Sequence, residues 1–123
     1  MTKKQTHQFG ILAERISILF LRLKGYKILK WRYRSHFGEI DIIAKKSRLI
    51  VLIEVKARNS KIISEEVLRP KQIDRIKKSA QFFISQNPHF QNYDIRFDFI
   101  EINRFLFPKH YSNFISWNLV ERF

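Results

Sequence analysis

Residues Leu49-Ile50-Val51-Leu52-Ile53 are apolar without a break, and a basic turn, Lys45-Lys46-Ser47-Arg48, precedes them. A run this short and this continuous predicts a central strand buried on both faces rather than one with a wet side. The rest of the chain must therefore cover both faces of the sheet. Yet the same stretch ends in charge, at Glu54-Val55-Lys56, and the strand expected before it, residues 39–44, carries Glu39 and Asp41. Ionised groups seldom sit in a sheet interior without a partner or a task, because an unpaired buried charge costs several kcal/mol or is neutralised.

The surrounding pattern supplies the cover. Residues 8–24 read as a helix, with Leu12, Ile16, Leu19, Phe20 and Leu23 as its core stripe. Ile11, Ile18 and Leu21 form a second patch around Glu14, and Gly25 stops the helix. Strands follow over residues 26–34, 39–44 and 49–57. A second helix over 69–86 has Pro70 in its first turn, a stripe of Ile73, Ile76, Ala80, Phe83 and Ile84, and an end at Asn87-Pro88. Residues 93–102 read as a fourth strand and Ser116 to Val120 as a short fifth. Residues 1–7 are expected to be a flexible N-terminus and Lys109 to Asn113 to be loose. The expected fold is α/β, a mixed sheet flanked by helices in one domain over residues 1–123.

Composition narrows the function. The chain carries 24 Lys and Arg against 11 Asp and Glu, a net charge of +13, which favours a polyanionic partner, nucleic acid first. Residues 1–64 hold fifteen Lys or Arg but only four acids, Glu14, Glu39, Asp41 and Glu54. In a segment that otherwise avoids negative charge, these four are candidate functional groups. There is no cysteine, which excludes thiolate metal sites and fits a reducing, cytoplasmic setting. The apolar stretch Phe9 to Leu23 is cut by Glu14, Arg15 and Arg22, so it reads as neither a membrane span nor a signal-peptide core.

Alternation puts Glu39 and Asp41 on one face of their strand, and Glu54 and Lys56 on one face of theirs. A turn centred between Lys46 and Ser47 sets Asp41 opposite Leu52 and Glu39 opposite Glu54, with all four charges on one face. Magnesium and manganese take hard oxygen donors, so Asp41, Glu54 and the Val55 carbonyl are candidate ligands, with Glu14 reaching in from the first helix. Lys56 would orient water or offset charge on a phosphate, and Gln72 would hold the water or a phosphate oxygen. Arg32, Arg34, Arg58, Lys71 and Arg75 are candidate contacts to a phosphate backbone, with Trp31, Tyr33 and Phe37 able to stack on bases. The structural alternatives are a buried ion-pair network of Asp41 and Glu54 with Lys56 and Arg58, a surface pairing of Glu14 with Arg15 or the turn at Ser17, and an ordinary polar Gln72. Glu39 fits either a supporting role or a pair with an arginine. Asp98 shares a face with Arg96 and reads as a structural pair.

Asp41 followed thirteen positions on by Glu54-x-Lys56 resembles the PD-(D/E)xK nuclease pattern. The fuller set is more specific: Gly10-x-x-Ala13-Glu14, Gly25-Tyr26, Gly38-Glu39-Ile40-Asp41, Glu54-Val55-Lys56-Ala57-Arg58, Lys71-Gln72 and Arg96-Phe97-Asp98. Over residues 8 to 120 it resembles the YraN-type uncharacterised protein family, which is similar to Holliday-junction resolvases. The resemblance implies a restriction-endonuclease-like fold with Glu14, Asp41, Glu54 and Lys56 at the site. Two positions depart from it: Arg32 stands where asparagine is usual, and Lys61 to Ser64 lack a usual glycine. The resulting expectation is a Mg2+- or Mn2+-dependent endonuclease on structured or branched DNA, DNA favoured over RNA, acting as a homodimer. The rival is a nucleic-acid-binding protein without catalysis.

Overall fold

The structure, a computed structural model, describes residues 2–57 and 70–115. Helix α1 (Lys3–Leu23) leads into three consecutive strands, β1 (Lys27–Ser35), β2 (Gly38–Lys46) and β3 (Leu49–Ala57). Helix α2 (Pro70–Gln86), a single 3-10 turn (Pro88–Phe90), β4 (Asp94–Ile102) and β5 (Pro108–Ile115) complete it. The strands lie in sequence order in one mixed sheet, with β1 and β5 at its edges. Among the described strands only β3 and β4 run parallel. Two parallel neighbours need a long crossover, and the segment containing α2 makes it.

The α/β reading holds, and β3 has the predicted bounds. Its even residues Ile50 and Leu52 pack under α2 with Ile76, Ala80, Phe83 and Ile84. Its odd residues Val51, Ile53 and Val55 pack under α1 with Ala13, Ile18 and Leu21. Strand alternation thus divides one sheet between two cores. Among the described residues no helix is long and apolar enough to cross a membrane.

Three expectations need correction. Helix α1 starts at Lys3, five residues early, because Thr2 caps it. The Thr2 hydroxyl accepts from the Gln5 N–H, and the Gln5 side chain accepts from the Thr2 N–H. Its buried face is also not the predicted stripe. Ala13, Ser17, Ile18 and Leu21 face the sheet, while Leu12, Leu19 and Leu23 are 43%, 59% and 79% exposed. Small Ala13 and Ser17 let the helix approach closely, and the Ser17 hydroxyl is satisfied by donating to the Ala13 carbonyl at 2.8 Å. Finally, residues 109–113 are strand, not loose chain. Asp98 of β4 accepts from the Asn113 N–H (2.8 Å) and bonds His110 Nε2 (2.7 Å), and this ties β5 down. The short strand expected at Ser116 to Val120 lies outside the described residues.

The turn joining β2 to β3 sets the register on which the charges depend. Lys46 pairs with Leu49 across a two-residue turn, with Ser47 at φ 53°. The pairs run to Ile43–Leu52 and Ile42–Ile53. Leu52 therefore faces Ile43, not Asp41 as expected. Continued one step, the same register would set Asp41 across from Glu54, but the ladder stops at Ile42–Ile53. The shift is by two residues, so by itself it moves no side chain to the other face.

Candidate active site

The β2–β3 ladder ends at Ile42–Ile53, whereas β2 stays paired with β1 as far as Gly38, and β3 with β4 as far as Ala57. The two central strands part company where the carboxylates begin. Asp41 spans the gap: its Oδ2 accepts the Val55 N–H at 2.8 Å. Alternation also breaks here. Ile40 belongs to the core under α2 and Ile42 to the core under α1, though residues two apart should share a face. Strand β1 breaks in step. The Trp31 indole reaches Glu14 of α1, while the Tyr33 ring packs edge-on against Phe83 of α2. Between them Arg32 has a left-handed backbone, φ 57°, which costs a side-chain-bearing residue of order 1 kcal/mol. A sheet that changes sides at one residue pair brings Asp41 and Glu54 together beneath neither core.

The electrostatics follow from that position. Burial pushes the Asp41 carboxyl up to about 6, against the opposing pull of the Val55 N–H. Burial and then the neighbouring Asp41 push Glu54 up to about 7. Lys56 Nζ, 3.6 Å from Glu54 Oε1, offsets only part of this. The pair lacks positive charge, and it favours whatever brings some.

Glu14 is nearly buried at the edge of this group. Its Oε1 accepts from Trp31 Nε1 at 2.7 Å and Arg32 Nε at 3.0 Å, so neither Arg15 nor Ser17 is its partner. That hydrogen bond raises the Arg32 guanidinium above its ordinary value. Glu39 pairs with Arg34 at 3.5 Å on the surface, the arginine-pair alternative. Gln72, in the first turn of α2, lines a pocket of about 140 Å³ with Gly38, Glu54, Arg75 and Ser79. Gly38 meets α2 there with φ 144°, a conformation that side chains disfavour. Lys71 is exposed next to Gln72. Arg58 lies outside the described residues. Of the three aromatics expected to meet bases, Tyr33 packs on the core under α2, Phe37 lies tilted against His36 and edge-on to Phe82, and Trp31 is half-exposed between Arg15 and Arg32.

Among the described residues no three His, Asp or Glu side chains gather as a metal-binding cluster. The donors at the parting of the strands are two carboxylates and the Val55 backbone. Magnesium is commonly held by one or two carboxylates, with water and substrate phosphate completing its shell, so these residues fit such an ion.

One residue escaped the sequence reading. Glu101 pairs in register with Lys56 across the parallel β3–β4 ladder, and its Oε2 is buried with no hydrogen-bond partner among the described residues. Its signal was the parity of Phe97, Phe99 and Glu101, which puts a third carboxylate on the face of Glu54 and Lys56. That signal needs the strand pairing before it means anything. Asp98, by contrast, is the structural pair expected. Burial would raise its carboxyl, but hydrogen bonds from His110, Arg96 and the Asn113 N–H hold it below the usual range. Arg96 also donates to the Tyr26 hydroxyl at 2.7 Å.

The sequence has relatives among known proteins. A sequence model of the uncharacterised protein family UPF0102 matches residues 13–102. A UPF0102 protein of Parvibaculum lavamentivorans is 35% identical over 107 residues, covering 87% of this chain and 80% of its own. Relatives from Rhodopseudomonas palustris and Bradyrhizobium diazoefficiens are 39% and 40% identical over 103 and 101 residues. They cover 84% and 82% of this chain and 79% and 76% of their own. The matched span contains Glu14, Asp41, Glu54, Lys56, Gln72 and Glu101. The chain belongs to the uncharacterised protein family UPF0102.

Proposed function

We propose that this chain is a Mg2+- or Mn2+-dependent endonuclease of the PD-(D/E)xK type, with a restriction-endonuclease-like fold, acting on structured or branched DNA. The observation that carries the reading is the meeting of Asp41 and Glu54 at the parting of β2 and β3. Both carboxylates are under-compensated by Lys56, in a chain of net charge +13. A buried pair that repels itself is a poor structural choice and a good cation site.

Asp41, Glu54 and the Val55 carbonyl would hold the ion. The chemistry it supplies when bound is Lewis acidity toward a phosphodiester and a lowered pKa for water. Lys56 lies beside Glu54 and faces the same space, where its ammonium offsets charge developing on the phosphate. Gln72 borders the pocket that Glu54 enters, and positions a water or a phosphate oxygen. Lys71, Arg75 and the Arg32–Arg34 strand hold the phosphate backbone on either side. Glu14 acts on this site through Arg32 and Trp31, or as a further ligand once Arg32 turns to phosphate. Cutting both strands of a branch fits two copies related by a twofold axis.

Cleavage of four-way, flapped and nicked DNA with Mn2+ tests the reading. Asp41→Ala and Lys56→Ala should each lower the rate by 10² or more, a typical loss for an electrostatic group. DNA binding should stay within a few-fold. Cleavage that survives both changes overturns the site. The rival, a nucleic-acid-binding protein without catalysis, draws on one observation: Glu14 is already engaged by Trp31 and Arg32. It requires that Mn2+ calorimetry show no heat attributable to Asp41, with or without DNA.

A further inference from the structure

The β4–β5 turn presents apolar rings to solvent in a manner the site above does not use. Phe105 and Phe107 are 65% and 69% exposed, and Leu106 between them is 39% exposed. The turn is built, not slack. Asn103 Oδ1 accepts from the Phe105 N–H at 2.8 Å and the Phe107 N–H at 3.2 Å. The Leu106 N–H bonds the Asn103 carbonyl at 2.9 Å. Leu106 is held left-handed at φ 64°, and Pro108 fixes the exit into β5. Holding two large rings in water is unfavourable, and a turn pinned to do so is preorganised for a partner.

Charge identifies the partner. Residues 103–111 contain Arg104 and Lys109 and no acid. The Arg104 guanidinium lies 4.9 Å from the Phe105 ring, and Lys109 Nζ 5.5 Å from the Tyr111 ring. Rings interleaved with cations suit planar bases on a phosphate backbone. Placement agrees. The turn begins one residue after Ile102, which pairs with Ala57, and Glu101 pairs with Lys56. Paired strands lie about 4.8 Å apart and the four steps from Glu101 to Phe105 span at most ~14 Å, so one bound strand can meet both Lys56 and the turn.

We propose that Asn103–Phe107 is a base-stacking wedge. Phe105 and Phe107 stack on bases left unpaired at a branch, bulge or end, and select such DNA over intact duplex. This rests on the reading of the chain as a nucleic-acid enzyme, but it is a statement about binding alone.

The test is equilibrium binding in chelator, with no cleavage, of a bulged or four-way DNA and of a matched duplex across a salt series. The wild type should prefer the branched DNA. Phe105→Ala/Phe107→Ala should lose about tenfold or more on it, little on duplex, and keep the salt slope, because the phosphate contacts remain. Asn103→Ala, which keeps the rings but frees the turn, should lose part of that preference. Both variants should melt close to the wild type, since the rings are exposed. An unchanged preference in the double variant overturns the wedge and leaves the nuclease reading standing. A wild-type protein that binds no DNA overturns both. A wild-type dimer that the double variant converts to monomer makes the turn a contact between copies, and overturns the wedge.

Discussion

Glu54→Gln should make the metal-free protein more stable at pH 8. The Glu54 carboxyl titrates near 7 in the folded chain against 4.5 ordinarily. A raised folded value means stability that is fully present below the unfolded value and lost as pH rises through the folded one. At 1.36 kcal/mol per unit, ionised Glu54 costs the folded state about 3 kcal/mol at pH 8. The amide removes that cost. It also removes the ion pair with half-exposed Lys56, worth ~1 kcal/mol or less. A net gain of about 2 kcal/mol, near 5–10 °C in melting temperature for a chain of this size, is the expected result. The assay is thermal unfolding in chelator at pH 5 and pH 8. Wild type should weaken between the two, and the variant should weaken less. Adding Mn2+ should reverse the order. Wild type gains about 2.7 kcal/mol at a hundred times the dissociation constant, and the variant gains little. If Glu54 belonged to a structural ion-pair network, breaking it would cost 3–5 kcal/mol at pH 8 instead. A variant less stable than wild type at pH 8 therefore refutes the argument.

Other outcomes follow from the same contacts. Asp98→Ala leaves Arg96, His110 and the Asn113 N–H without their acceptor, and should cost about 3–5 kcal/mol by chemical denaturation, with β5 exchanging amide protons first. Because Asp98 titrates below the usual range, its contribution is present above the ordinary carboxylate value and fades only as pH falls past the depressed one, which an acid titration of stability checks. Ser17→Leu places a large side chain where α1 touches the sheet and should cost ~1–3 kcal/mol in the same assay. Glu101→Met should stabilise by about 1 kcal/mol or more, since it removes a buried oxygen without a partner among the described residues, and a loss of stability would show that Glu101 has one.

Much of this was legible from the chain. Strand β3 announced itself because five unbroken apolar residues have few other homes, and parity alone put Glu54 with Lys56. The register was two residues off because no Asn-Gly pair marks the turn, and Ser47 adopts its left-handed backbone without a compositional sign. The covered face of α1 was misjudged because hydropathy rewards Leu12 and Leu19, whereas close packing rewards Ala13 and Ser17. The change of sides at Arg32 and Asp41 has no local signature: it requires two strands to break together. Glu101 and the strand at 108–115 became meaningful only through partners distant in sequence.

Among the described strands β1 is an edge, nine residues long and paired only with β2. Such an edge invites another chain to add to the sheet, and here Lys27, Lys30, Arg32 and Arg34 stand along it. A second copy approaching edge to edge would bring Lys27 and Lys30 against their like, while Arg32 and Arg34 are already paired with Glu14 and Glu39, and such edge lysines are how natural sheets are kept from growing into aggregates. These charges therefore guard solubility as well as attract phosphate. A bound polyanion cancels the guard while it occupies the strand, so a mixture in which protein and nucleic-acid charge are matched, at low salt, is the condition under which this sheet is most exposed to aggregation.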